Sequence, residues 1–184
     1  MTTALIVIAI IVVLILLYFV STYNSLVSLR NKVKDQWSQI DVVLKNRCDL
    51  IPNVVETVKG YAKHEKETLD AVISARNSAV SAKSAEEEMK AAGEVSQALG
   101  RLFAIAESYP DLKANTNFMD LQNKLNEIEE KIRFARQFYN DTVLNYKNKL
   151  EMFPSNIVAN MFGFKPEAFF EATDEERKNV QVKF

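Results

Sequence analysis

The sequence predicts an all-α protein: a single N-terminal transmembrane helix that continues into a long antiparallel four-helix bundle, followed by an aromatic-rich C-terminal segment. The first 29 residues contain no charged side chain. The 184 residues include only four glycines and four prolines, too few for a turn-rich β architecture. Beyond the apolar start, apolar residues recur at steps of three and four, the period of an amphipathic helix. We therefore expect an anchor with a juxtamembrane turn (1–29), a helical bundle (30–152) and an aromatic-rich segment (153–184).

The opening apolar run is long enough to cross a bilayer. Residues 4–20 contain only Leu, Ile, Val, Ala, Phe and one Tyr. As a helix they rise about 25 Å, and the uncharged polar residues on either side extend this to roughly 30 Å. A cleaved signal peptide would need a basic stretch before the run and a small-x-small cleavage site, and neither is present. A buried helix of a soluble protein is the remaining alternative, but such helices seldom stay apolar on all sides for this length. We predict a retained anchor.

Basic residues that follow the run predict its orientation. Arg30, Lys32 and Lys34 form a juxtamembrane basic cluster, whereas no Lys or Arg precedes the run. The positive-inside rule places the C-terminal domain in the cytoplasm and the N-terminus outside. The formal net charge of −1 gives no basic excess that would indicate a nucleic-acid partner. We expect a single-pass protein whose first partner is the lipid bilayer.

The first helix of the bundle is predicted to extend the anchor. Its apolar stripe continues without a helix breaker until Pro52 and consists of Leu26, Val33, Trp37, Ile40 and Leu44. Asp49 and Pro52 are a candidate helix kink, because Asp49 can cap a helix and proline is tolerated at an early helical position. We expect the chain to kink or to reverse there. A second apolar stripe then runs from Ile51 to Val80.

A third helix is predicted to begin at Ser84 or Ala85. The carboxylates of residues 86–88 would lie in its first turn, where they favour the positive end of the helix dipole. Gly93 and Gly100, seven residues apart beside its apolar stripe, either allow a neighbouring helix to approach closely or are simply tolerated.

The fourth helix has the clearest period in the chain, over residues 118–150, and residues 115–117 offer cap side chains before it. Phe134 and Phe138 add a second apolar edge beside its main stripe. We therefore expect this helix to have two neighbours, as in a bundle.

The C-terminal segment is rich in aromatic residues, with five of the eleven phenylalanines between Phe153 and Phe170. Ser155 or Asn156 can cap a short helix that Gly163 ends, and residues 180–184 alternate like the end of a strand. These aromatics either close the end of the bundle or form a docking surface for a partner or a neighbouring subunit, since interfaces are rich in aromatic and Met residues. The candidate interaction surface comprises Phe153, Ile157, Met161, Phe162, Phe164, Phe169 and Phe170.

Several strings carry a resemblance to a known family. They are Trp37-Ser38-Gln39-Ile40-Asp41-Val42-Val43-Leu44-Lys45, Asp49-Leu50-Ile51-Pro52-Asn53, Tyr109-Pro110-Asp111-Leu112-Lys113-Ala114-Asn115 and Phe153-Pro154-Ser155-Asn156. Over nearly its whole length the sequence resembles the LemA family of bacterial membrane proteins. The resemblance implies an N-terminal helix in the bacterial inner membrane followed by a long helical bundle, and it implies no reaction. A relative in magnetic bacteria is tied to shaping membrane compartments. The family often has a proline just upstream of Val-x-Phe, where this chain has Val180-Gln181.

Residues suited to catalysis are sparse. His64-Glu65 is half of a zincin motif, but Thr68 stands in place of the second His, and the chain has no other His. His64 is expected on the surface. Cys48 has no plausible His partner and is expected to be a small buried residue. Adjacent carboxylates such as Glu129-Glu130 lie in charge-dense stretches typical of solvated faces. We predict no enzymatic activity, no cofactor and no metal.

Two non-enzymatic functions fit the sequence. The favoured one is a homo-oligomeric membrane scaffold that organises or shapes the membrane, associating through leftover apolar surface or through the C-terminal aromatics. The alternative is an adaptor or regulator of another membrane protein, such as a protease or a sensor. Surplus apolar surface on the long helices would serve either function, so the sequence does not decide between them.

Overall fold

The computed structural model describes residues 1–171, which form six α-helices and contain no strand. The helices are α1 (Thr2–Tyr61), α2 (Lys66–Ser81), α3 (Ala85–Ala106), α4 (Pro110–Lys113), α5 (Thr116–Glu151) and α6 (Ser155–Met161). The all-helical prediction is confirmed for this part of the chain. The strand-like alternation over residues 180–184 lies outside the described residues.

The chain divides into two compact units. The anchor unit comprises Met1–Gln39 and Arg136–Phe169, and the core unit comprises Ile40–Ala135 with the described residues Phe170 and Glu171. Helices α1 and α5 each contribute residues to both units, because the boundaries fall inside them. The division into 1–29, 30–152 and 153–184 follows chain segments instead of compact units and stays a prediction.

Helix α1 is 60 residues long and passes through Pro52 without ending. A reversal of the chain at Pro52 is therefore wrong, since the helix continues to Tyr61. Pro52 has no N–H for the Cys48 carbonyl, but tertiary packing supplies most of the stability of a helix and can offset one lost hydrogen bond. That packing continues past the proline, where Val54 and Val58 are no more than 1% exposed. The kink itself stays a prediction.

The core unit is built around a largely aliphatic core from α1, α2, α3, α4 and α5, in which α2 packs against α3. Most predicted stripe positions are buried, and the largest fully buried apolar side chains of this core are Ile51, Val54, Val58, Val72, Leu102, Leu112 and Leu125. Burial of such side chains contributes roughly 1.5–3 kcal/mol each. The alternating three-and-four pattern thus identified the faces that the helices bury.

Local caps begin two of the helices as the sequence predicts. The N–H of Glu87 donates to Ser84 Oγ at 3.2 Å, while the Glu87 carboxylate accepts from the Lys83 N–H at 2.7 Å. At the start of α5, the Phe118 N–H donates to Asn115 Oδ1 at 3.0 Å. These bonds satisfy N–H groups that have no partner inside the helix.

One packing alternative is decided and one packing expectation is wrong. A Cβ atom built on Gly100 would meet nothing within 4 Å, so no neighbour approaches closely there and this glycine is simply tolerated. Phe134 and Phe138 are 48% and 60% exposed, so the second apolar edge of α5 is not covered by a second neighbouring helix. The sequence pattern identifies which faces of a helix are apolar, but the helices packed around it determine whether those faces are buried.

Candidate functional site

The C-terminal end of α5 and the start of α6 are joined by one hydroxyl group in the anchor unit. Ser155 Oγ donates to the carbonyl oxygens of Lys149 and Met152, at 2.7 and 2.8 Å. Ser155 or Asn156 was expected to cap α6, but Ser155 lies inside this helix and satisfies carbonyls at the end of α5 instead. The N-cap of α6 is Pro154, which makes no side-chain cap bond.

Gly163 ends α6, as predicted, in a left-handed turn with φ of 68°. The Gly163 N–H donates to the Asn160 carbonyl at 3.3 Å, and the Phe164 N–H donates to the Ala159 carbonyl at 3.0 Å. These are the two bonds of a Schellman motif, in which glycine is favoured because a Cβ atom is strained at positive φ. The turn directs Phe164 back toward α1.

An aromatic cluster connects this turn to the end of the apolar run. The Tyr23 ring lies 4.7 Å from the Phe162 ring and 5.8 Å from the Phe164 ring, measured between centroids. The guanidinium carbon of Arg30 lies 5.3 Å from the Phe164 centroid, within cation–π range. Tyr23 is three residues beyond Val20, so the cluster sits where the apolar part of α1 ends.

Tyr139 attaches the segment after Gly163 to α5. Its hydroxyl donates to the Ala168 carbonyl at 2.9 Å, and its ring packs edge-on against Trp37 at 5.4 Å. Burial, with a smaller contribution from the Glu167 carboxylate, raises the pKa of Tyr139 to about 12. The phenol is therefore neutral at physiological pH and holds this segment as a hydrogen-bond donor.

The predicted interaction surface separates into covered and exposed parts. Phe164 and Phe169 are partly covered, with the Lys147 ammonium 5.8 Å from the Phe169 centroid, and Phe170 is buried. The exposed members of this surface are Phe153 at 79%, Ile157 at 48%, Met161 at 62% and Phe162 at 53%.

The predicted juxtamembrane basic cluster is also divided. Lys32 and Lys34 are exposed on α1, whereas Arg30 is half-buried against Phe164. The two candidate kink residues, Asp49 and Pro52, are both exposed. Asp49 does not act as a cap, because it lies inside α1.

A buried arginine that the sequence analysis does not predict organises the core unit. Arg47 is fully buried, and its Nη1 donates to Ser96 Oγ and to Glu129 Oε1, each at 2.8 Å. Its Nη2 donates to the Ala92 carbonyl at 3.0 Å. One cation thus joins α1, α3 and α5. A signal was present, because Arg47 occupies a stripe position, three residues after Leu44, where an apolar residue would be expected.

A groove of about 360 Å³ lies beside this network and is lined by Cys48, Arg76, Glu88 and Asp41, among others. Burial raises the pKa of the Cys48 thiol despite the nearby Arg47 cation. Burial, and then the Asp41 carboxylate, raise the pKa of Glu88. A nucleophilic cysteine requires a lowered pKa, so the environment of Cys48 favours an unreactive thiol. Within residues 1–171, no three His, Cys, Asp or Glu side chains are grouped so as to hold a metal ion.

The exposed apolar start of α1 defines the class of protein. Every residue from Met1 to Tyr18 is exposed, and this part of α1 is long and apolar enough to cross a membrane. A helix of this kind leading into a helical core is typical of a membrane-associated helical protein.

Comparison with known proteins identifies the family. The LemA family model matches residues 36–184, so the chain belongs to the LemA family and the resemblance inferred from the sequence is confirmed. Protein LemA of Metamycoplasma hominis is 25% identical over 167 residues, covering 89% of this chain and 75% of the relative. Magnetosome protein MamQ 2 of Paramagnetospirillum magneticum is 25% identical over 175 residues, covering 81% of this chain. Magnetosome protein MamQ of Magnetospirillum gryphiswaldense is 25% identical over 188 residues, covering 86% of this chain and 69% of the relative. The chain spans only 64% of the length of MamQ 2.

Proposed function

We propose that this protein is a non-enzymatic, membrane-anchored helical scaffold, which associates with copies of itself and thereby organises or shapes the bacterial inner membrane. The observation that carries this proposal is the contrast along α1. Residues 2–18 of this helix are all exposed, whereas Ile40 and Ile51 on the same helix are no more than 1% exposed. A long, fully exposed apolar helix is unfavourable in water and favourable in lipid. One helix would therefore belong to the bilayer and to the protein core. The basic cluster of Arg30, Lys32 and Lys34 supports an outside N-terminus.

The core unit supports an antiparallel bundle of α1, α2, α3 and α5. Arg47 of α1 bonds Glu129 of α5, and the Asn115 side chain, just before α5, donates to the Tyr61 hydroxyl at 2.8 Å. The contacts are spaced 14 residues apart on both sides and run in opposite order. Opposite order at equal spacing is expected for two antiparallel helices.

The surface for self-association would lie on α5. Phe134 and Phe138 are four residues apart, so their side chains emerge from the same face of the helix. The guanidinium of Arg133 lies 4.5 Å from the Phe134 ring, but Phe134 is still 48% exposed and Phe138 60%. Exposed aromatic residues of this size are enriched in interfaces. The names of the MamQ relatives, which are magnetosome proteins, favour a function at membranes.

The test compares the mass of the full-length protein in lipid nanodiscs or mild detergent with that of a Phe134→Gln/Phe138→Gln variant. Glutamine keeps a good helix former at both positions while removing the apolar surface. We expect an oligomer for the natural sequence and a shift toward monomer for the variant. Met119→Gln, which removes an apolar side chain that is 42% exposed on the same helix, is the matched control and should leave the mass unchanged.

Two results would contradict the proposal. A monomer at every protein concentration, together with unaltered membranes on overexpression, would exclude a self-associating scaffold. A stoichiometric second protein captured by crosslinking in cells, and lost in the Phe134→Gln/Phe138→Gln variant, would instead favour the adaptor or regulator function.

A further inference from the structure

The exposed face of α6 is an unusual surface for a protein domain in water. Ile157 and Met161 are one helical turn apart on this face, and Met152, Phe153 and Phe162 flank it. All five side chains are between 48% and 79% exposed within a stretch of eleven residues. Single exposed apolar residues are ordinary, but a contiguous group of this kind marks a surface that contacts a partner or a membrane.

The position of this face along α1 indicates the partner. A helix needs about 20 residues to cross a hydrocarbon core of about 30 Å, so a span that starts at Thr3 ends near Thr22. Tyr23 would then lie at the boundary, and its ring contacts the Phe162 ring at 4.7 Å. The headgroup layer adds about 5–8 Å on each side of the hydrocarbon, so Phe162 falls within it.

The end of α5 reaches the same level. Trp37 contacts Tyr139, and Tyr23 contacts Phe162, so the chain from Tyr139 to Phe162 must run back along α1 toward the apolar segment. Between Trp37 and Tyr23, α1 covers about 21 Å, and α5 covers about 20 Å between Tyr139 and its end near Met152. Met152 and Phe153 therefore lie close to the level of Tyr23, in the same layer as Phe162.

The charges around this surface suit an anionic lipid headgroup. The anchor unit contains seven Lys or Arg against four Asp or Glu, a formal charge of +3. Arg30 and Lys147 lie over the rings of Phe164 and Phe169, and Lys165 is exposed in the segment that follows α6. An apolar face flanked by cations is typical of protein segments that lie in the interfacial layer of a membrane.

We propose that the exposed face of α6, with Met152 and Phe153, lies in the headgroup layer of the leaflet that α1 leaves, as a second and peripheral lipid contact. The occupant of this surface is lipid and not a protein partner. This inference rests on the membrane anchor of the proposed function. The Schellman turn at Gly163 and the hydrogen bond from Tyr139 to the Ala168 carbonyl hold α6 in place before any lipid binds, so little ordering is required on contact.

The test measures the depth of single labelled positions in the full-length protein. In a Cys48→Ala background, one cysteine at a time is introduced by Val12→Cys, Ser38→Cys or Met161→Cys and labelled with the fluorophore NBD. The protein is reconstituted into vesicles of phosphatidylcholine and phosphatidylglycerol. Quenchers are nitroxide lipids labelled near the headgroup, nitroxide lipids labelled near the acyl end, and aqueous iodide. Circular dichroism verifies that each labelled protein keeps its helical content.

The three labelled positions are expected to lie at different depths in the membrane. At Met161 we expect blue-shifted emission and the largest loss of fluorescence with the headgroup-proximal nitroxide. At Val12, in the middle of the apolar run, the acyl-end nitroxide should cause the largest loss. Ser38 is exposed and about 22 Å farther along α1 than Tyr23, so its label should be quenched by iodide alone.

The outcomes separate the inference from the proposed function. A Val12 label quenched by lipid and a Met161 label that behaves like Ser38 would overturn the inference and leave the anchor intact. A Met161 label shielded from iodide and from both nitroxides would show that protein covers the face, which also overturns it. If no lipid quencher reaches the Val12 label, the result would contradict both the membrane anchor and this inference.

Discussion

The anchor unit and the core unit are built from the same two long helices but differ in charge and in the side chains that hold them together. The anchor unit has a formal charge of +3, whereas residues 40–135 of the core unit contain 13 Lys or Arg against 16 Asp or Glu, a charge of −3. Aromatic contacts around Tyr23 and Tyr139 connect the elements of the anchor unit. The core unit has an aliphatic and alanine-rich core with one buried arginine.

The difference shows what each unit is suited to contact. Aromatic rings with nearby cations favour the interfacial layer of a membrane, where one end of a side chain is apolar and the other is hydrated. A net negative surface is repelled by anionic lipid and favours the aqueous phase. The positive charge of the anchor unit therefore agrees with the proposed contact between this unit and the bilayer.

The largest expected effect is in the core unit. Arg47→Ala removes three hydrogen bonds and leaves a cavity, so we expect a loss of about 2–4 kcal/mol in the free energy of unfolding. Glu129 is 40% exposed on its side chain and can be hydrated, which keeps the loss below that of a fully buried pair. Thermal unfolding in detergent, followed by circular dichroism, measures the effect.

Lys45→Ala is the matched control, two residues away on the same helix. The Lys45 side chain is 70% exposed and pairs with Asp49 at 2.7 Å, so its removal should change the stability by less than about 0.5 kcal/mol. Equal losses for the two variants would show that the buried network does not organise the core unit.

In the anchor unit, Tyr139→Phe should change the pH dependence of stability. The fold raises the pKa of Tyr139 from 10 to about 12, so the neutral phenol is favoured in the folded state. The resulting stability is fully present below pH 10 and is lost as the pH rises through 12, a change of about 3 kcal/mol. The Phe variant should lose about 1 kcal/mol at neutral pH, through the lost hydrogen bond to the Ala168 carbonyl, and should show a shallower alkaline decline.

Chemical unfolding of the full-length protein at a series of pH values between neutral and strongly alkaline measures that decline. Tyr61→Phe, which removes a hydrogen bond at a residue that is 43% exposed in the core unit, is the comparison and should cost less at neutral pH. If the alkaline decline of the Tyr139→Phe protein equals that of the natural sequence, Tyr139 does not hold the segment after Gly163.

The smallest effect contrasts two glycines, one in each unit. Gly163→Ala should cost about 1–2 kcal/mol, because its φ of 68° is strained for any residue with a Cβ atom. Gly60→Ala should stabilise by about 0.5–1 kcal/mol, because Gly60 lies inside α1 and its Cβ would meet nothing within 4 Å. Thermal unfolding measures the sign of the stability change in each variant. Hydrogen exchange of α6 should accelerate only in the Gly163→Ala protein. Changes of the same sign would contradict the turn geometry.

Much of the fold was predictable because it depends on neighbours in the sequence. Ser84, Asn115 and Gly163 are cap or turn residues whose effect is confined to one helical turn, and all three act as predicted. The candidate site was predictable only in part. The sequence identified the aromatic segment, but not that Phe162 would stay exposed beside Tyr23 while Phe170 is buried. Whether a side chain is exposed depends on which elements of the folded chain pack around it.

Other features could not be predicted because they depend on residues far apart in the chain. Arg47 can be buried because Ala92, Ser96 and Glu129, which are 45, 49 and 82 residues away, accept its hydrogen bonds. The chain was expected to kink or to reverse at Pro52, since proline removes one backbone hydrogen bond. The helix continues because buried side chains on both sides of Pro52 contribute more than that local loss.

By itself, the sequence determined the apolar run at the start of α1, the helical period and the local cap or turn residues Ser84, Asn115 and Gly163. Each of these follows from side chains within a few positions of one another, and their free energies are local. Only the tertiary structure decided which apolar faces are covered, where α1 ends and how the charge of Arg47 is compensated. Those outcomes depend on contacts between distant segments, whose summed free energy exceeds any local preference.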